Sequence, residues 1–112
     1  MDYEKYKNEM ECPKKPKKPF LQNFHTSEKA YEYAQELHTY EIELNEYQNR
    51  MKAYRQHSND LHNLFKKDAL DDVGLKDHPK AEKAWEMAYE KGRSEGNYSV
   101  YQELCELADL LI

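Results

Sequence analysis

From Ala30 to Phe65 the core-type positions fall into two interleaved series, each with a period of seven. Ala30, Leu37, Leu44, Met51, Ser58 and Phe65 form one series. Tyr33, Tyr40, Tyr47, Tyr54 and Leu61 form the other, each three residues after a member of the first. Alternating steps of three and four are the a and d positions of a heptad repeat, in which a helix buries a narrow stripe against something else. The pattern predicts a long helix within residues 25–74. Thr26 or Ser27 would be its N-cap, Glu28 would lie in its first turn, and Gly74 would follow its end. The run Ser58-Asn59-Asp60 could end one helix and cap another. The heptad passes through it in register, so one continuous helix is predicted. Asp68 and Asp72 take the next d and a positions and close the stripe.

Beyond Gly74 the period predicts a helical hairpin over 75–112. Pro79 suits a first helical position, Ala81, Ala84, Trp85 and Ala88 make a stripe of mostly small residues, and Gly92 closes the first helix. Ser99 and Gln102 match a capping box at the start of the second, where Tyr101, Leu104, Cys105, Ala108 and Leu111 share a face. Before the long helix, residues 1–24 read as a flexible basic arm. Within it "CPKKPKKPF" cannot be helical, because each proline lacks a donor and keeps its predecessor extended. The arm is expected to be a polyproline-like, solvated spacer, dispensable for the fold. Pro13, Pro16 and Lys18 also fit the P-x-x-P-x-(K/R) pattern read by proline-binding modules. The fold class is therefore all-α: a coiled-coil-type helix, a C-terminal helical hairpin and a flexible N-terminal arm.

A narrow apolar stripe does not stabilise a long helix by itself. Two covers are available: a second copy of the chain, or the C-terminal hairpin folded back. A parallel pair sets Glu36 against Glu41 and Arg50 against Arg55, and stacks tyrosine on tyrosine at four d layers. An antiparallel pair centred between Asn45 and Glu46 places Tyr33 on Ser58, Leu37 on Tyr54, Tyr40 on Met51 and Leu44 on Tyr47, with Glu43 beside Arg50. Large side chains then meet smaller ones. The expectation is an antiparallel homodimer whose seam is Tyr33, Leu37, Tyr40, Leu44, Tyr47, Met51, Tyr54 and Leu61, with the hairpin as the competing cover.

Charge changes this picture at one place. The chain carries a net −5, yet residues 1–20 hold six lysines against four acids. An acidic body repels nucleic acid, whereas Lys14, Lys15, Lys17 and Lys18 could meet a phosphate or an acidic partner. No apolar run approaches the roughly 20 residues of a membrane span, and the first residues lack a signal-peptide core. With Cys12 and Cys105 expected as free thiols, cytoplasmic residence is the expectation. The sequence offers no set of residues for catalysis, metal or cofactor binding. No histidine follows a glutamate by three, and His57 and His62, five apart, read as solvated flank residues. Cys105 falls on an apolar helix face and reads as a structural thiol. Trp85 is either a partner anchor or a core residue.

Residues 78–112, with H-P-K-A-x-K-A at 78–84, a glycine loop and a short amphipathic helix ending in Asp109-Leu110-Leu111, resemble the C-terminal segment of small tailed-bacteriophage proteins. The resemblance covers about a third of the chain and brings no catalytic residues. It implies a phage accessory protein in the host cytoplasm that inhibits or modulates a host or defence protein. The reading is thus a protein-binding protein, not an enzyme. The alternative is a nucleic-acid-associated protein acting through the basic arm.

Overall fold

The computed structural model describes residues 1–20 and 26–112. His25 and the end of the expected arm lie outside the described residues. Three α-helices follow a short 3-10 turn at Tyr3–Tyr6, and no strand occurs among the described residues. Helix α1 spans Ser27–Asp72, α2 Ala81–Gly92 and α3 Asn97–Leu111. The chain forms two compact units: residues 1–8 with 58–112, and residues 9–57.

The ends of α1 follow the sequence closely. The Lys29 amide donates to Thr26 Oγ1 at 3.2 Å, which makes Thr26 the capping side chain. No break occurs at Ser58. At the far end Gly74 has φ +82°, the left-handed conformation that glycine adopts without a Cβ penalty. The Leu75 amide then reaches Leu70 O at 2.8 Å, and the Gly74 amide reaches Asp71 O at 3.1 Å. These two bonds make a Schellman motif, and both Leu70 and Leu75 are buried beneath it.

The first unit is built around one core. Phe65, Ala69 and Leu70 come from α1, Leu75 from the turn, Ala84, Trp85 and Ala88 from α2, and Val100, Leu104 and Ala108 from α3. The hairpin is close-packed because Gly92 lets α2 approach α3. A Cβ there would lie 2.5 Å from Val100 N and 2.7 Å from Ser99 C, both backbone atoms. Two details of its helix starts differ from expectation. Helix α2 begins at Ala81, because a turn comes first, with the Ala81 amide bonded to His78 O and the Lys80 amide to His78 Nδ1, each at 3.0 Å. Pro79 lies in that turn. Helix α3 begins at Asn97 after Gly96, φ +101°. The capping box does not form there: Ser99 is already helical and donates to Glu95 Oε2 at 3.1 Å.

The eleventh core residue is Tyr6, and it corrects the view of residues 1–24 as a wholly flexible arm. Its ring meets Phe65 edge-on at 5.1 Å, while Tyr3 meets Tyr98 at 5.6 Å and Tyr101 at 6.2 Å. Two aromatic rings three residues apart on a 3-10 turn fall on one side of it and can be buried together. The Tyr6 hydroxyl donates to Asp68 Oδ2 at 2.7 Å, and Lys5 Nζ lies 3.5 Å from the same oxygen. The first eight residues are part of the fold.

Trp85 is likewise settled as a core residue. It is 4% exposed, edge-on to Phe65 at 5.6 Å and stacked on Tyr89 at 5.9 Å. No partner reaches it without opening the hairpin, so it is withdrawn as a binding anchor.

Candidate functional site

Within residues 9–57 the heptad positions stand out by burial alone. Ala30, Tyr33, Leu37, Tyr40, Leu44, Tyr47, Met51 and Tyr54 are all half-buried, and every residue between them is exposed. The contrast is a matter of cover, not of residue type: Tyr31 is 64% exposed and Ile42 50% exposed on the other faces of the same helix. Something lies along the a/d stripe. The described residues of this unit are α1 as far as His57, Thr26 before it, and the segment 9–20, which shares grooves with the helix and is the cover it offers.

Its placement follows from shared grooves. Met10 to Lys14 line one groove with Arg50 and Ala53. Lys17, Lys18 and Pro19 line another with Glu32, Glu36, Tyr40 and Glu43. As the segment's numbering rises the helix numbering falls, so segment and helix are antiparallel. Pro13, Pro16 and Pro19 are half-buried, while the lysines between them are exposed. A side-chain period of three is that of a polyproline II helix, which puts every third residue on one side. The proline rings therefore share the stripe side with the tyrosines, and Lys14, Lys15, Lys17 and Lys18 face water.

The sequence offered two covers for the stripe, a second copy or the hairpin. The cover seen here is a third, the chain's own proline-rich segment. Leu61, the last member of the expected seam, is half-buried in the other unit. Arg50, expected beside Glu43 of a second copy, has Nη2 3.8 Å from Glu46 Oε2 in its own helix.

Polar members of the heptad also acquire roles. Ser58 is the only a/d residue between Ala30 and Phe65 without an apolar or aromatic side chain, and its Oγ accepts from Asn8 Nδ2 at 2.6 Å. Asp68 and Asp72, the acids that end the stripe, accept the hydroxyls of Tyr6 and Tyr101. Burial, then the bond to Asp68, pushes the Tyr6 hydroxyl up to about 12. The same bond, helped by Lys5, holds Asp68 below the usual carboxylate range. Tyr101 is raised by its bond to Asp72 and by burial.

Elsewhere the candidate chemistry stays sparse. His38 and His57 are exposed. His62 is not the solvated flank residue expected, because its ring meets Tyr89 at 5.0 Å and Trp85 at 5.7 Å. Cys105 is half-buried on α3 and Cys12 exposed in the segment, both as free thiols. Among the described residues no three His, Cys, Asp or Glu side chains gather in a way that could hold a metal ion. No described helix is long and apolar enough to cross a membrane.

These features define a small all-α protein with two parts: a tyrosine-faced helix carrying a proline-rich extended segment, and a helical hairpin core. The chain belongs to a family of unknown function, DUF8546, whose match runs over residues 2–112 and so takes in strand, helix and hairpin together. No curated protein and no solved structure shows significant similarity to it.

Proposed function

We propose that this protein acts by binding another protein along the tyrosine stripe of α1, without catalysis of its own. One observation carries the reading: from Ala30 to Tyr54 the stripe is half-covered, so each tyrosine keeps an open edge beside the proline strand. Tyrosine offers a large apolar ring with a polar tip and little rotamer entropy to lose, which suits it to contacts that form and break. The resemblance of residues 78–112 to phage proteins supports a host or defence protein as the partner, met in the host cytoplasm. A second copy pairing through the seam fits the same stripe less well, because it must share the stripe with the strand.

A photo-reactive phenylalanine placed at position 40 or 47, in the full chain expressed in bacteria, tests the proposal. Both positions should capture the same protein, and position 31, on another face, should not. Equal capture at 31 and 40, or none at the stripe, contradicts it.

Nucleic-acid binding through Lys14, Lys15, Lys17 and Lys18 is the second reading, favoured by their exposure. Against it, Lys17 and Lys18 share a groove with Glu32, Glu36 and Glu43, which lowers the local positive potential. Affinity that falls steeply with salt, and is lost when the four lysines become glutamine, would establish it.

A further inference from the structure

Helix α1 and the segment beside it repeat on nearly the same length. Tyr33, Tyr40, Tyr47 and Tyr54 recur every seven residues, about 10.5 Å along an α-helix. In a polyproline II helix Pro13, Pro16 and Pro19 recur about every 9.3 Å. Pro13 shares a groove with Ala53, and Pro19 shares one with Tyr40. The six residues from Pro13 to Pro19 span about 19 Å in that geometry. The thirteen residues from Tyr40 to Ala53 span about 20 Å of helix. Tyrosine rings at this spacing can therefore meet every third residue of an extended, proline-rich chain. Aromatic-lined grooves suit such chains, which are already ordered before they bind.

The chain's own segment fills this surface incompletely. Two grooves of about 570 Å³ each remain between segment and helix. A close-packed contact leaves few voids larger than a water molecule. Lys17 and Lys18 share a groove with Glu32, Glu36 and Glu43, yet no ion pair among the described residues joins them. The other groove is mixed in charge, with Glu11 and Lys14 beside Arg50, so only the glutamate end selects a sign. The surface thus fits proline rings along its tyrosines and cations at its Glu32–Glu43 end.

We infer that the stripe is a receptor for basic, proline-rich extended segments, and that the partner protein docks through one. The partner's prolines take the places of Pro13, Pro16 and Pro19. Its lysines or arginines reach Glu32, Glu36 and Glu43, and the chain's own segment is displaced. That segment is a tethered competitor at an effective concentration on the order of millimolar, so it sets the affinity a partner must exceed. This chemistry of the partner rests on the protein-binding role proposed for the stripe.

A fluorescein-labelled peptide of residues 9–20, carrying Cys12→Ser, is the probe, read by anisotropy against the full chain. Wild type should bind it weakly, because the tethered segment competes. The full-chain variant Pro13→Ala, Pro16→Ala, Pro19→Ala should bind it about tenfold or more tightly. The same peptide with its prolines replaced by alanine should lose about tenfold on that variant. Adding Glu32→Lys, Glu36→Lys and Glu43→Lys, all at exposed positions, should weaken the original peptide about tenfold or more, with helical circular dichroism unchanged. No binding to the proline-free variant at ~1 mM, or equal affinity for the two peptides, overturns the inference. In lysate, saturating peptide should also abolish photo-capture at position 40. Capture that survives it excludes a proline-rich partner and leaves the protein-binding role intact. Absence of stripe capture without peptide removes that role, and the partner with it, whatever the peptide does.

Discussion

Single residues decide how closely the pieces of this fold approach. Gly92 is the sharpest case, because the atoms that a Cβ would strike are backbone atoms of α3, which cannot swing aside. Gly92→Ala should force the hairpin apart and cost about 1–3 kcal/mol, read as a lowered denaturant midpoint. Gly74→Ala should cost about 1–2 kcal/mol for a different reason, since it holds an alanine in the left-handed region. Tyr6 links the N-terminal turn to the core, and its hydroxyl gives that link a pH signature. A tyrosine whose folded value is raised contributes stability that is complete below its unfolded value near 10 and is lost as pH rises through about 12. Wild-type stability should therefore fall between about pH 10 and 12. Tyr6→Phe should flatten part of that fall, measured by urea midpoints at each pH. Asp68 acts in the opposite sense. Its lowered value adds stability that is present above the usual carboxylate range and fades as acid protonates it. Gly74 and the acids at 68 and 72 could be placed from the heptad alone. Tyr3 and Tyr6 could not, because two aromatics in a four-residue turn produce no period, and their burial depends on Phe65, Tyr98 and Tyr101, far away in sequence.

At the scale of elements, the long helix was legible and its cover was not. The a/d series marks the stripe, and half-burial from Ala30 to Tyr54 follows it residue by residue. A stripe says only that something covers it. Heptads usually pair with heptads, so the stripe taken alone points to a second copy or to the hairpin. The prolines do break helix, but they are not the solvated spacer expected, because Pro13, Pro16 and Pro19 are half-buried. Their period of three, Pro13, Pro16 and Pro19, is also a binding pattern, and it becomes informative only beside a row of rings. That pairing makes the strand's rigidity an energetic matter. Proline pre-orders the unbound chain, so each proline replaced by alanine should loosen the strand by about 0.4–1 kcal/mol from chain entropy alone. Replacing all three should speed tryptic cleavage between Lys14 and Lys15 and between Lys17 and Lys18. The α2 and α3 circular-dichroism melt should stay in place, since the hairpin core contains none of these residues. Unchanged cleavage rates would mean that the prolines contribute nothing to docking.

For the whole molecule, the uneven charge has a purpose that composition could not reveal. The six lysines among residues 1–20 and the acidic remainder read as a free basic arm on an acidic body. In the folded chain Lys17 and Lys18 share a groove with Glu32, Glu36 and Glu43, so part of that asymmetry is neutralised internally. The attraction is surface electrostatics and should weaken as the Debye length shrinks to ~3 Å near 1 M salt. Every role given to the stripe requires the proline segment to lie along its own helix. A nitroxide on Cys12, in a Cys105→Ser background, reports this directly through paramagnetic broadening of amide signals in a ¹⁵N-labelled chain. With the labelled chain diluted into unlabelled, spin-free protein, the broadening should centre on Arg50 to Ala53, fade toward Glu32, and persist at every dilution. Broadening spread evenly along α1, or broadening that disappears on dilution, would show that the strand is free or belongs to another copy, and would contradict the account.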